Sequence, residues 1–285
     1  MTRAPSPTVR RRRLAAELRR FREAAELTID EVADRLECSA SKVSRIETGH
    51  VGVTPRDVRD MAELYGIVDD RRDALVQLAR EARQKGWWHA YNEVFTGAFV
   101  GLEADAASLH AFQALLVPGL LQTAAYSRAV LRAVRPDSPP AELDRRVEAR
   151  MTRQKLLVDP HPPEYWAVID EAVLHRLTGG RDVMYEQLRK LVDIAQLPHV
   201  TLQVLPFEIG AHAGMESPFL IMGFPDPDPD VVYVENATSG VYLENSADVR
   251  KHSLLFDHLR AAALRPDDSV GLVQRIAERL AVIPE

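Results

Sequence analysis

Cysteine is almost absent: Cys38 is the only one in 285 residues. No disulfide can form within the chain, and no cysteine cluster is present for a structural zinc. Long apolar runs are missing too. None approaches the roughly 18 residues that cross a bilayer, and the Arg-rich start lacks the apolar stretch of a secretory signal, so a cytoplasmic location and no membrane partner are expected. His161, His175, His199, His212, His252 and His258 are scattered without an HExxH spacing, so neither a metal nor a cofactor is expected. GxSxG, P-loop and GxGxxG patterns do not occur. Asp170 and Glu171 are adjacent, so on a strand they point to opposite faces and make a poor acid and base pair. The expectation is that the chain is not an enzyme. What is present is ordinary for a folded protein: 46% apolar and 27% charged residues, with length for roughly two domains.

The net charge of −6 disfavours nucleic acid until it is divided along the chain. Residues 1–80 carry 16 Lys+Arg against 14 Asp+Glu, and the remainder carries 20 against 28. Arg10, Arg11, Arg12, Arg13, Arg19 and Arg20 lie on or just before the first helix, where they can meet phosphates.

Local signals mark five short helices before residue 85. Leu14, Leu18, Phe21 and Ala25 form one stripe of the first. Thr28 with Glu31 is a capping box that starts the second, in which each side chain satisfies the other residue's backbone donor. Ser39 caps a third, which ends at Gly49, and Thr54-Pro55 starts a fourth. The fifth runs from Asp69 to about Lys85, where the domain boundary is placed. Residues 86–285 read as an α+β domain with a small, mostly antiparallel sheet. Residues 105–134 and 139–157 read as helical, and strands are expected at 165–169, 200–205, 219–223 and 231–235. A helix over 184–196 lies between the first two strands, and the Pro/Asp run 224–230 makes a hairpin of the last two. Ser246 and Asp267 cap two closing helices.

Between Leu27 and Gly49 the apolar spacing forces two helices to cross closely. Val32, Leu36, Val43 and Ile46 supply the shared core, Ala33 permits close approach, and Cys38 fills an apolar slot in the turn. Ala40, Ser41, Lys42, Ser44 and Arg45 are left on the outer face of the third helix, the part that enters a major groove. Residues 10–66 thereby resemble the phage-repressor and Xre class of helix-turn-helix domains, including the Ile46-Glu47-Thr48-Gly49 ending. The resemblance implies that Ala40, Ser41 and Arg45 face bases, with Lys42 and Ser44 facing backbone or base. Ser39, Thr28 and Arg19 complete the expected DNA-binding set. Arg45 is the strongest candidate because a guanidinium donates bidentately to guanine O6 and N7. Glu26 and Glu37 depart from the class, which has glycine at these helix ends. One module reads few base pairs, so a homodimer on a double-stranded operator is expected.

The second domain resembles the C-terminal domain of uncharacterised function in Xre-type regulators of filamentous actinobacteria of the WhiJ type, some called antitoxin-like. Leu116-Val117-Pro118-Gly119-Leu120-Leu121-Gln122-Thr123, Arg153-Gln154, residues 170–174, Val204-Leu205-Pro206-Phe207, Ser217-Pro218-Phe219 and Val232-Tyr233-Val234-Glu235 carry that resemblance. It implies a small partner protein encoded nearby, while a small-molecule effector is the other expectation for this domain. From the residues alone, Trp87, Trp88 and Tyr91 either pack a junction or line a pocket. Gln122 either orients a ligand or belongs to core, and the flexible segment 210–218 with His212 either faces a ligand or partner or is a plain connection.

Overall fold

A computed structural model describes residues 7–49, 51–83, 87–91, 94, 98–225, 228–236 and 240–282 of the protein. The chain divides into two compact units, Met1–Asp105 and Ala106–Glu285. The boundary expected at Lys85 lies outside the described residues.

The first unit is helical: α1 (Pro7–Ala24), α2 (Ile29–Arg35), α3 (Ala40–Glu47), α4 (Pro55–Leu64), α5 (Asp69–Glu81) and α6 (Phe99–Asp105). Its helix starts are set by residues within four positions. Thr28 Oγ1 accepts from the Glu31 N–H while the Glu31 carboxylate accepts from the Thr28 N–H, and Thr54 with Asp57 repeats this at α4. Ser39 caps α3 by accepting from the Lys42 N–H. The ends of α1, α2 and α4 share one device, in which a residue just past the helix is left-handed and the next N–H bonds back to the carbonyl five positions earlier. Leu27 N–H reaches Arg22 O, Cys38 N–H reaches Ala33 O, and Ile67 N–H reaches Ala62 O. The left-handed residues there are Glu26, Glu37 and Gly66, and Gly49 is left-handed after α3, so two of these four ends hold a glutamate in a conformation that favours glycine. Leu14, Leu18, Val32, Val43, Ile46, Val58 and Met61 form the core, with Leu36 and Cys38 partly buried against it. Burying each larger side chain contributes about 1.5–3 kcal/mol.

The second unit contains β1 (Ser108–Gln113), α7 (Ala124–Val134), α8 (Pro140–Gln154), β2 (Glu164–Asp170), α9 (Ala172–His175), α10 (Arg181–Ile194) and β3 (Val200–Leu205). It continues with β4 (Phe219–Gly223), β5 (Val231–Glu235), β6 (Gly240–Leu243), α11 (Ser246–Ala262) and α12 (Pro266–Val282). The strand order is β3-β2-β1-β4-β5-β6. β1, β2 and β3 run parallel, joined by helical crossovers, whereas the β1–β4, β4–β5 and β5–β6 pairs are antiparallel. The α+β class holds with a mixed six-stranded sheet.

Two strands differ from the sequence reading. Residues 108–113 form a central strand where a helix was expected, because Leu109 and Ala111 bury on one sheet face and Phe112 on the other between two partners. The four-residue strand β6 pairs with β5 and was not anticipated. Asn245, one residue before Ser246, caps α11 through its side-chain oxygen, and Asp267 lies within the first turn of α12. The hairpin is closed by the Phe224 N–H donating to Asp230 Oδ1. On one sheet face Phe112, Val168, Phe219, Ile221 and Val232 pack with Phe256 and Leu259 of α11.

Candidate nucleic-acid interface

The orientation of α3 is fixed by a buried ion pair. Arg22 donates from Nε to Glu47 Oε1 at 2.8 Å and from Nη2 to Oε2 at 2.9 Å, and from Nη1 to Leu27 O at 2.8 Å. One guanidinium thus binds the end of α1, the link to α2 and the end of α3. At the other end of α3, Lys42 Nζ lies 3.1 Å from Asp57 Oδ1 in the first turn of α4. Burial pushes the Asp57 carboxyl up, but the hydrogen bonds from Thr54 and Lys42 together pull it below the usual carboxylate range.

With both ends pinned, Ser41 and Arg45 are exposed on α3 and Ala40, Lys42 and Ser44 are half-buried. Arg45 donates from Nε to Ser41 O at 3.2 Å, which lays its stem toward the helix start. That bond does not use the Nη1 and Nη2 end that grips a guanine edge. Ser39 and Thr28 are exposed, with both hydroxyls accepting capping bonds. Arg56 was missed by sequence reasoning: its side chain is 89% exposed in the first turn of α4, beside the α3 start that Lys42 ties to that turn. The signal was Thr54-Pro55-Arg56, since the N-terminus of a helix with a cation suits a phosphate.

Three arginines of the run are paired within the chain. Arg10 pairs with Glu81 at 3.2 Å, Arg19 with Glu23 at 2.8 Å and Arg20 with Glu17 at 2.9 Å. Arg10 is half-buried beside Glu81 of α5, and only Arg19 and Arg20 keep exposed side chains among these three.

Trp87 meets Trp88 and Tyr91 edge-on at 6.0 and 6.3 Å, in a 3-10 turn where Tyr91 is buried. In the second unit Gln122 is buried and its amide is occupied: Nε2 donates to Val117 O, and Oε1 accepts from Ser127 and Arg150. Around it Gln154 donates to Gly119 O and Gln122 O, Gln187 donates to Leu121 O and accepts from Thr123 N–H, and Lys190 donates to Gln122 O. Burial pushes the Lys190 ammonium down. The 116–123 stretch is therefore a hydrogen-bonded latch joining α7, α8 and α10.

Asp170 and Glu171 diverge, each toward a histidine. Asp170 Oδ2 lies 3.4 Å from His212 Nε2, while Glu171 Oε1 lies 3.1 Å from His175 Nε2 and its Oε2 accepts from the Phe207 N–H. His212 Nδ1 accepts from the Gly214 N–H at 3.2 Å. Among the described residues no three or more His, Cys, Asp or Glu side chains converge as a metal site, and no helix is long and apolar enough to cross a membrane.

Residues 13–75 match the family described as a helix-turn-helix domain, which makes the first unit a DNA-binding module and points to a regulator rather than an enzyme. No curated protein and no solved structure matches the chain. Residues 96–275, more than half of the sequence, match the family described as a domain of unknown function (DUF5753). The chain therefore belongs to the DUF5753 family and carries a helix-turn-helix domain ahead of that domain.

Proposed function

We propose that the protein is a sequence-specific transcriptional regulator of the Xre type, akin to the WhiJ-like regulators. In this reading it binds a double-stranded operator as a homodimer and answers to a partner protein or small molecule through its second unit. The observation that carries this reading is the exposed Ser41 and Arg45 face of α3, on a helix pinned at both ends by Arg22–Glu47 and Lys42–Asp57. Ala40, Ser41 and Arg45 read bases, while Ser39, Thr28, Lys42, Ser44, Arg19 and Arg56 position the helix on backbone. An effector that prefers one spacing of the two reading helices changes operator affinity by its differential binding.

Genome-wide occupancy followed by a binding assay on the recovered site tests this. Arg45→Ala weakens the site about 5- to 150-fold, the equivalent of roughly 1–3 kcal/mol, and relaxes preference at one base pair. Unchanged affinity and preference would exclude base reading by α3. A second reading, an antitoxin-like scaffold whose main activity is to hold a small partner with DNA binding for autoregulation, is favoured by exposed apolar side chains on loops of the second unit.

A further inference from the structure

The parallel strands β1, β2 and β3 end at Gln113, Asp170 and Leu205, and the segments leaving them share one edge of the sheet. Open sheets of this kind place binding surfaces outside the carboxyl ends of parallel strands. Leu115, Leu177, Phe207, Ile209 and Met215 lie on these segments and are 40–69% exposed. Scattered single apolar residues on a surface need no account, but a group of five on adjoining loops does.

The loops that hold them are braced. The Phe207 N–H donates to Glu171, whose other oxygen meets His175, and the His175 ring stacks on Phe207 at 5.6 Å. His212 bridges Asp170 and the Gly214 N–H while its ring meets Phe112 edge-on at 5.8 Å. Gly214 sits so close to Phe112 that a Cβ there would overlap the ring. The apolar side chains thus stand on a prepared frame, which lowers the ordering cost of binding.

Charge selects the occupant. Residues 206–218 contain Glu208 and Glu216 and no lysine or arginine, both glutamates are exposed among the apolar side chains, and they outnumber Arg176, the exposed cation beside Leu177. A second copy of this edge brings the same two glutamates, and an anionic membrane is repelled by them. We infer that the edge formed by Leu115, Leu177, Phe207, Ile209 and Met215 docks an amphipathic segment of another protein, apolar on one side and flanked by lysine or arginine. The inference rests on the reading that the second unit takes a protein partner, and supplies the place and the chemistry.

The test uses the full chain and a fluorescent 18-residue leucine/lysine amphipathic helical peptide, with a leucine/glutamate peptide of equal length as counterpart. The leucine/lysine peptide binds at least tenfold tighter than its counterpart. The double variant Phe207→Ser, Met215→Ser loses at least tenfold, whereas Val134→Ser, Val158→Ser, which alters exposed valines elsewhere, loses less than twofold. Glu208→Lys with Glu216→Lys reverses the peptide preference, a result that a folding defect does not produce. Equal loss in both serine pairs, or no reversal by the lysine pair, overturns the inference. So does self-association of the wild type, seen by light scattering, that disappears in the Phe207, Met215 variant, since the edge is then covered by a second copy. DNA affinity with saturating peptide is measured in parallel and judges only the regulatory reading. Peptide bound at this edge without any change in DNA affinity leaves the docking surface standing and removes its control of α3.

Discussion

Arg22 and Glu47, 25 positions apart, join the ends of α1 and α3 through a two-pronged ion pair whose side chains are only 11% and 3% exposed. Glu47 holds the Arg22 guanidinium further above its already high ordinary pKa, so the guanidinium stays charged across the working range. Removing one member strands a buried charge. Arg22→Met or Glu47→Leu alone is expected to destabilise the first unit by about 3–5 kcal/mol. Arg22→Met with Glu47→Leu recovers much of that loss, because no charge is left without its partner. Urea unfolding of the four proteins as a double-mutant cycle measures the coupling, and additive losses would contradict it.

Glu26 and Glu37 sit at φ 56° and 49°. A left-handed non-glycine residue costs roughly 1–2 kcal/mol, offset in part by the greater chain entropy of glycine. Glu37→Gly is therefore expected to stabilise by about 0.5–1 kcal/mol. The same change lifts a negative charge from beside the start of the reading helix, so DNA affinity rises as well, most at low salt. Thermal unfolding and salt-dependent binding of the single variant separate the two effects; a lower melting temperature would contradict the strain argument.

These glutamates were legible because helix ends are local. The caps Thr28, Ser39 and Thr54 and the left-handed Glu26, Glu37 and Gly49 are set by residues within five places and lie at the helix ends read from the sequence. β1 was not legible, since Ser108-Leu109-His110-Ala111-Phe112-Gln113 contains good helix formers and becomes a strand only by pairing with β2 and β4, tens of residues away. The pairing of Arg10 was hidden for the same reason: its partner is Glu81, and nothing in residues 7–24 announces it. Arg56 was overlooked because exposure in a first turn follows from how α3 and α4 meet at Lys42–Asp57.

His110 is held below its ordinary imidazole value, first by burial and then by Arg260, and stacks on Phe256 at 4.9 Å. The unfolded chain takes up a proton here below about pH 6.5 that the folded chain refuses. The stability this position contributes is full above that pH and is lost as the pH falls toward the folded value. His110→Phe keeps the stacked ring and removes the titration. Its second unit should lose less melting temperature between pH 7 and pH 5 than the wild type does, as followed by calorimetry; parallel curves would assign the dependence to other groups.

Gln187 is fully buried, and its amide serves the Leu121 carbonyl and the Thr123 N–H at once. Gln187→Ala leaves two buried backbone groups unsatisfied, at about 1–3 kcal/mol each. Hydrogen exchange should speed up at Thr123 and its neighbours in the 116–123 latch while β3 remains protected. Exchange that rises evenly over the whole unit would mean that the latch has no separate identity.

Arg45 and Arg56 flank the same surface in different chemistry, and salt separates them. In the proposed function Arg56, exposed beside the α4 N-terminus, takes a phosphate and Arg45 a base edge. Each phosphate contact releases condensed counterions and adds roughly 0.9 to the slope of log affinity against log salt. A dimer holds two copies, so Arg56→Ala lowers the slope by about 1.8 and weakens cognate and non-cognate duplexes alike. Arg45→Ala leaves the slope nearly unchanged and weakens the cognate duplex selectively. Titrations on both duplexes from 50 to 200 mM salt decide the matter. A slope that drops equally in both variants would place Arg45 on the backbone and leave Ser41 as the remaining polar reader of α3.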